Sequence, residues 1–227
     1  MMTLDRRAFL IGATALATCS VASTAFALTD QQELIDKARI SFEKLTASPE
    51  FSELPGYLKH CKAVMIFPSL FKAGFVIGGE GGSGVLMVRD ASKGWSQPAF
   101  YTLISGSVGL QVGGQLSEAI FTIMSDKALN AVLDNQMKLG GNVSMAAGPI
   151  GKGIGADTTT NFSSDVYTFA KTSGLFGGVS FDGSGILKKD SWNRAYYGEG
   201  SSPYAIVIQR KFSNPNTSSL VNALSAY

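Results

Sequence analysis

The sequence predicts an α+β domain whose centre is a curved, barrel-like antiparallel sheet, with helices near the N- and C-terminal ends. Three observations carry this reading. Short runs of β-branched and aromatic residues recur through the middle of the chain, at 63–67, 85–88, 99–104 and 166–170, and such residues suit a pleated, half-buried surface. The 227 residues include 26 glycines but only 16% charged residues, which fits many short strands joined by tight turns. Helical periodicity is clearest toward the two ends, at 29–45 and 217–226.

Taken in order, residues 1–27 read as an export signal. Arg6 and Arg7 precede an apolar segment at 9–22, and Ala25-Phe26-Ala27 has the small-x-small form of a cleavage site. The stretch from Asp5 to Leu10 is similar to a twin-arginine signal, which makes the periplasm or envelope the expected location. Cys19, in Leu-Ala-Thr-Cys, offers the alternative of a lipid-anchored form. The apolar run is shorter than the ~20 residues a membrane-spanning helix needs. Residues 28–227 carry no fixed-period repeat and no long linker, and read as one domain.

Thr29 is placed to cap a helix, with Gln32 reaching back to complete a capping box. Leu34, Ile35, Ala38, Phe42 and Leu45 then share one face, while Glu33 and Lys37 stand one turn apart on another. The mixed charge of the polar face favours docking on a core over lying in a membrane. Pro49 opens a second, shorter helix whose apolar side is Phe51, Leu54 and Leu58. The run 63–67 predicts a buried strand that stops at Pro68. The stretch 72–90 predicts a hairpin of two apolar runs, 75–77 and 85–88, turning through the glycines between them. Strands are expected at 99–104, 107–115, 119–124, 137–147, 166–170 and 178–181. A short helix capped by Asp126 is expected at 127–133.

The composition excludes several classes of chemistry. The formal charge of +2 includes two leader arginines, so no strongly basic face for nucleic acid is expected. The glycines at 78–84 are followed neither by Lys-Ser/Thr nor by a helix, so a phosphate-cradling loop lacks its anion-binding helix N-terminus. The single histidine, His60, and the single cysteine outside the leader, Cys61, are too few for a usual zinc site, and no cofactor is expected. As chain neighbours in regular structure, their side chains diverge, and Cys61 reads as a small buried hydrophobe. No nucleophile-elbow pattern flanks a serine. Asp182 and Asp190 are the nearest approach to a carboxylate pair in the C-terminal part, and they read as turn residues. The expectation is a protein without enzymatic activity.

Four stretches together carry a family resemblance. They are Lys72-Ala73-Gly74-Phe75 with the glycines that follow, Gly-Leu-Gln-Val-Gly-Gly-Gln at 109–115, GGNVSMAAGPIGK at 140–152, and SGLFGGVSFDGSG at 173–185 followed by DSWNRAYYG at 190–198. In that order they resemble the SYLF domain, also called the Ysc84 or DUF500 domain, and the resemblance runs from about Asp30 to Gln209. It implies binding to phospholipid, as a fatty-acyl or headgroup ligand, and association with a membrane surface. Eukaryotic relatives bind phosphoinositides, and some bind actin filaments; they usually carry an SH3 or FYVE module. This sequence resembles the bacterial members, a leader with a lone domain, for which actin is not an expected partner. A lipid site needs apolar surface for acyl chains and cations for phosphate. The residues expected to supply these are Lys62, Lys72, Lys152, Lys188 and Lys189, with Phe176 as an inserting side chain. Lysines beside glycine-rich loops make anionic vesicles the expected preferred surface. The competing expectation is a structural or interaction module of the envelope with no lipid ligand.

Overall fold

The computed structural model describes residues 29–74, 77–108, 113–148, 163–173 and 181–227. Helix α1, Asp30–Thr46, starts where Thr29 Oγ1 accepts from the Gln32 N–H at 3.3 Å. The Gln32 side chain does not close the expected capping box. It bonds Asp36 Oδ1 at 3.0 Å and the Asn216 carbonyl at 3.2 Å, and accepts from the Tyr196 hydroxyl at 2.6 Å. The C-terminal segments packed alongside offer it better partners than its own helix end. Leu34, Ile35, Ala38, Phe42 and Leu45 are all buried, as their spacing predicts, and Glu33 pairs with Lys37 at 2.6 Å. After a short 3-10 turn, Pro49–Phe51, helix α2 runs Leu54–His60 and buries Leu54 and Leu58.

Among the described residues the sheet has eight strands: β1 Ala63–Gly74, β2 Ile77–Asp90, β3 Gly94–Trp95, β4 Ala99–Val108, β5 Gly113–Ile123, β6 Met145–Ala147, β7 Val166–Ser173 and β8 Gly185–Lys188. Their order across the sheet is β6-β7-β5-β1-β2-β4-β8, with β3 hooked onto β2. The sheet curls strongly into a half-barrel, as the composition predicts. All pairs are antiparallel except β6–β7, so the sheet is mixed rather than purely antiparallel. Helix α3, Asp126–Leu133, follows β5; α4, Asp190–Tyr197, and α5, Pro203–Val207, follow β8; α6, Ser218–Ser225, lies near the C-terminus. The cap of α3 is Ser125, whose side chain accepts from the Ala128 N–H, and not Asp126.

Because successive strand side chains alternate in direction, the sheet has two cores. On one face Met65, Phe67, Leu86, Tyr101 and Phe121 meet α3 and α5. On the other, Val64, Ile66, Val85, Phe100 and Ile120 meet α1, α2 and α6.

Several strand expectations are corrected. The strand from Ala63 does not stop at Pro68; it continues to Gly74 through a register shift between Phe67 and Leu70. A bulge absorbs the missing amide of proline. The glycines at 78–84 are not the hairpin turn but lie inside β2, because the neighbouring strand crosses them closely. A Cβ on Gly84 would stand 2.4 Å from the Phe67 ring, and one on Gly82 would stand 2.2 Å from the Ser69 carbonyl oxygen. The stretch 107–115 is not one strand. Its two ends belong to β4 and β5, which pair with β2 and β1 and not with each other. Residues 109–112, and with them the alternation of Leu110 and Val112, lie outside the described residues. Of 137–147 only β6 is a strand, and Phe181 is buried outside any strand, with 178–180 outside the described residues.

Candidate functional site

Among the described residues the sequence-predicted cations do not converge on one place. Lys62, just before β1, pairs with Asp126 at 3.0 Å. Lys72 is near the other end of that strand, opposite Glu80 and Gln115 in register. Ten residues of strand put them roughly 30 Å apart, too far to share one headgroup. Lys152 and Phe176 lie outside the described residues.

Lys188 and Lys189 come at the end of β8, and their roles diverge. The Lys189 ammonium donates to Ser83 Oγ at 2.7 Å and stands 3.1 Å from the centroid of the Trp192 ring. Burial there lowers the pKa of its ammonium, against the opposing pull of the Asp30 charge. Held by β2 on one side and α4 on the other, Lys189 acts as a clasp between elements.

Lys188 instead lines an open cleft of about 400 Å³ with Asp190, Arg194, Glu199, Gly200, Ser201, Ser202 and Pro203. Each wall has a local cause. Asn193 is buried and fixes α4 against β4: it accepts from the Phe100 N–H at 2.9 Å and donates to the Phe100 carbonyl at 3.2 Å. Tyr197 adds a bond from its hydroxyl to the Pro98 carbonyl at 2.7 Å. These contacts turn Asp190 and Arg194, one turn apart on α4, toward the cleft. The helix ends at Gly198, whose φ of 95° suits glycine. The loop then bends again through Gly200 at φ 80°, bringing Ser201 and Ser202 to the far wall. Ser201 donates to the Gly198 carbonyl at 2.6 Å, and Ser202 caps α5 by accepting from the Ala205 N–H at 3.2 Å.

Among the described residues Lys188 and Arg194 make no ion pair, and neither do Asp190 and Glu199. The cleft therefore offers two cations, one a planar fork suited to bidentate phosphate binding, and two carboxylates that can accept from hydroxyl or ammonium groups. Arg194 and the serine wall were missed from sequence. The spacing of Trp192, Tyr196 and Tyr197 before Gly198 was the available signal for α4.

The sequence's other candidates are placed as follows. Burial pushes the Cys61 thiol up to about 12, with Arg89 opposing, and its Sγ donates to the Leu58 carbonyl at 3.4 Å. His60 Nδ1 turns to the Gly56 carbonyl at 2.9 Å. No described helix is long and apolar enough to cross a membrane.

Fold and surface together define an α+β protein on one curled sheet, with a charged but net-neutral cleft at its β8 edge. The chain belongs to the Ysc84 (SYLF) family, whose model, described as "Las17-binding protein actin regulator", matches residues 104–227. It is similar to Protein YSC84 of Saccharomyces cerevisiae, 34% identical over 76% of this chain and 37% of that protein. It is also similar to the SH3 domain-containing YSC84-like protein 1 of Xenopus laevis, 30% identical over 70% of this chain and 48% of that protein. LAS seventeen-binding protein 3 of Saccharomyces cerevisiae is 33% identical over 69% of this chain and 34% of its own length. The chain thus spans between a third and a half of these relatives.

Proposed function

We propose that this chain is a phospholipid-binding, membrane-associating module of a bacterial cell envelope. The observation that carries the reading is the cleft beside β8, where Lys188 and Arg194 stand together without carboxylate partners of their own. A phosphodiester fits between an ammonium and a guanidinium. Asp190 and Glu199 then face the polar end of the headgroup, whether glycerol or ethanolamine. Charged groups of both signs in one cleft suit a headgroup better than a bare anion.

Co-sedimentation with vesicles tests this, supported by native mass spectrometry for co-purified lipid. Binding is expected, tighter to anionic than to neutral vesicles. Replacing Lys188 and Arg194 together by glutamine is expected to weaken it roughly tenfold or more, since each cation near an anionic surface contributes about 1 kcal/mol. Soluble glycerophosphate competing fully with vesicles would show a phosphate-ester site rather than a lipid site. Failure to bind vesicles or lipid at all would end the reading.

A second reading has its own support. The family description speaks of binding Las17 and regulating actin, and one yeast relative is named a LAS seventeen-binding protein. On that reading the chain is a protein-interaction module, and a pull-down by filamentous actin, insensitive to lipid, would favour it.

A further inference from the structure

The second feature of the surface is apolar. Among the described residues, three large hydrophobic side chains on the sheet stand half in water: Phe71 at 56% exposure, Ile104 at 49% and Leu116 at 46%. They come from three different strands, yet the register makes them one row. Leu116 of β5 pairs with Phe71 of β1, Phe71 with Gly81 of β2, and Gly81 with Ile104 of β4. Residues directly opposite in antiparallel pairs share a face, so the three project side by side over a width of roughly 14 Å, three interstrand spacings.

Two residues further toward the strand ends the paired row is Gly114, Ala73, Gly79 and Gly106. Ile104 is also paired with Gly185 of β8, three residues from Lys188 in the headgroup cleft. In the stretches 69–74, 77–84, 104–108 and 113–118 the only carboxylates are Glu80, which is buried, and Glu118, which is joined to Lys44 of α1. From these stretches an anionic surface would meet no exposed carboxylate without an ion-pair partner.

We propose that the Leu116–Phe71–Ile104 row is the face that enters the hydrocarbon boundary of a phospholipid membrane. The proposal rests on the membrane reading above and names where the apolar contact is made. Area decides between a lipid surface and a second copy of the chain. Half-exposed side chains of this size offer about 100 Å² each, or roughly 300 Å² in all, while a stable protein interface needs roughly 800 Å² from each partner. Among the described residues the apolar ridge is smaller than a protein partner needs, whereas shallow insertion into lipid needs no complementary partner surface.

The test combines Phe71→Ser, Ile104→Ser and Leu116→Ser in one variant. Exposed side chains contribute little to stability, so its circular dichroism and melting temperature should match the wild type. Its affinity for phosphatidylglycerol–phosphatidylcholine vesicles should fall roughly tenfold or more. A second measurement is independent of that variant: a polarity-sensitive dye on Cys19→Ser/Phe71→Cys, which labels position 71 because Cys61 is buried. Its emission should shift to the blue on vesicles and not on soluble glycerophosphate. Triple-variant binding equal to wild type, or an unshifted dye on vesicles that do bind, overturns this face while leaving the cleft reading standing. A concentration-dependent dimer in sedimentation that the triple variant abolishes would assign the row to a second copy and also overturn it. Wild type that binds no vesicle removes the membrane reading and this face together.

Discussion

The four long strands are built of two unlike halves. In the first, residues 63–67 and 85–88 are buried at every position, covered by α3 and α5 on one face and α1, α2 and α6 on the other. In the second, beyond the register shift in β1, the same strands carry glycine, serine and the half-exposed Phe71, Ile104 and Leu116. The ladder resumes in β1 beyond the shift, so strand pairing alone does not distinguish the halves. The side chains do: the covered half gains stability from burial, and the projecting half carries the half-exposed Phe71, Ile104 and Leu116. Ring size alone does not say what a phenylalanine does here. Its position along the strand does.

The largest expected effect tests that contrast directly. Phe121 is buried in the covered half, with ring centroids 5.2 Å from Phe67 and 4.9 Å from Phe181. Phe121→Ala should cost about 3–5 kcal/mol in urea unfolding. Phe71→Ala should change stability by less than about 0.5 kcal/mol. Comparable losses at the two positions would erase the distinction between the halves.

Next is Asn193, whose side chain satisfies both backbone groups of Phe100 in the covered half. Asn193→Ala leaves a buried N–H without an acceptor and should cost about 2–3 kcal/mol. It should also weaken vesicle binding, because α4 carries Arg194.

Glycine sharpens the comparison from the other side. Gly84→Ala would place a methyl 2.4 Å from the Phe67 ring and 2.6 Å from the Ile66 carbonyl oxygen, and should destabilise by about 1–3 kcal/mol. Gly56, within α2, has nothing within 4 Å of the added methyl. Gly56→Ala should therefore stabilise by about 0.4–1 kcal/mol. Thermal melts of the two variants moving in opposite directions would show that only the strand glycine is required by packing.

The smallest effect concerns acid. Burial alone would raise the pKa of the Asp165 carboxyl, but bonds from Ser125 and Ser144 and the Lys127 ammonium outweigh it and hold it at about 2. A carboxyl held below its unfolded value stabilises the fold above that value, near 4. The contribution is lost as pH falls from about 4 through 2. Asp165→Asn should flatten the decline of melting temperature across that window while leaving stability at neutral pH lower than wild type.

Much of the fold was legible from the residues. The helical face of α1, the apolar side of α2, the terminal helix, the curled sheet and the family all followed from periodicity, turn residues and motif order. The hairpin was displaced because glycine has two meanings that sequence does not separate: a turn needing positive φ, or a strand position under a crossing neighbour. Gly82 and Gly84 are the second kind: one makes room for the Ser69 carbonyl and the other for the Phe67 ring, both on the preceding strand. Pro68 misled in a similar way, since a bulge lets a strand pass through it. For the cleft, Lys188 was visible, but Arg194 was not, because α4 is held by Asn193 and Tyr197 through tertiary bonds rather than by a long apolar stripe. The apolar row could not be read from any one segment, because its members are 45 and 33 residues from Phe71 at Leu116 and Ile104, and only pairing aligns them.

The central claim is that this domain holds phospholipid by charge at the β8 cleft and by apolar contact at the projecting half. Its most direct test is co-sedimentation of the wild-type chain with phosphatidylglycerol–phosphatidylcholine vesicles over a salt series. Charge contacts fade as the Debye length shrinks to about 3 Å near 1 M salt, whereas apolar contacts do not. The account predicts that binding falls with salt and then levels at a plateau that the Phe71, Ile104 and Leu116 serine variant lacks. Absence of vesicle binding even at low salt would contradict it.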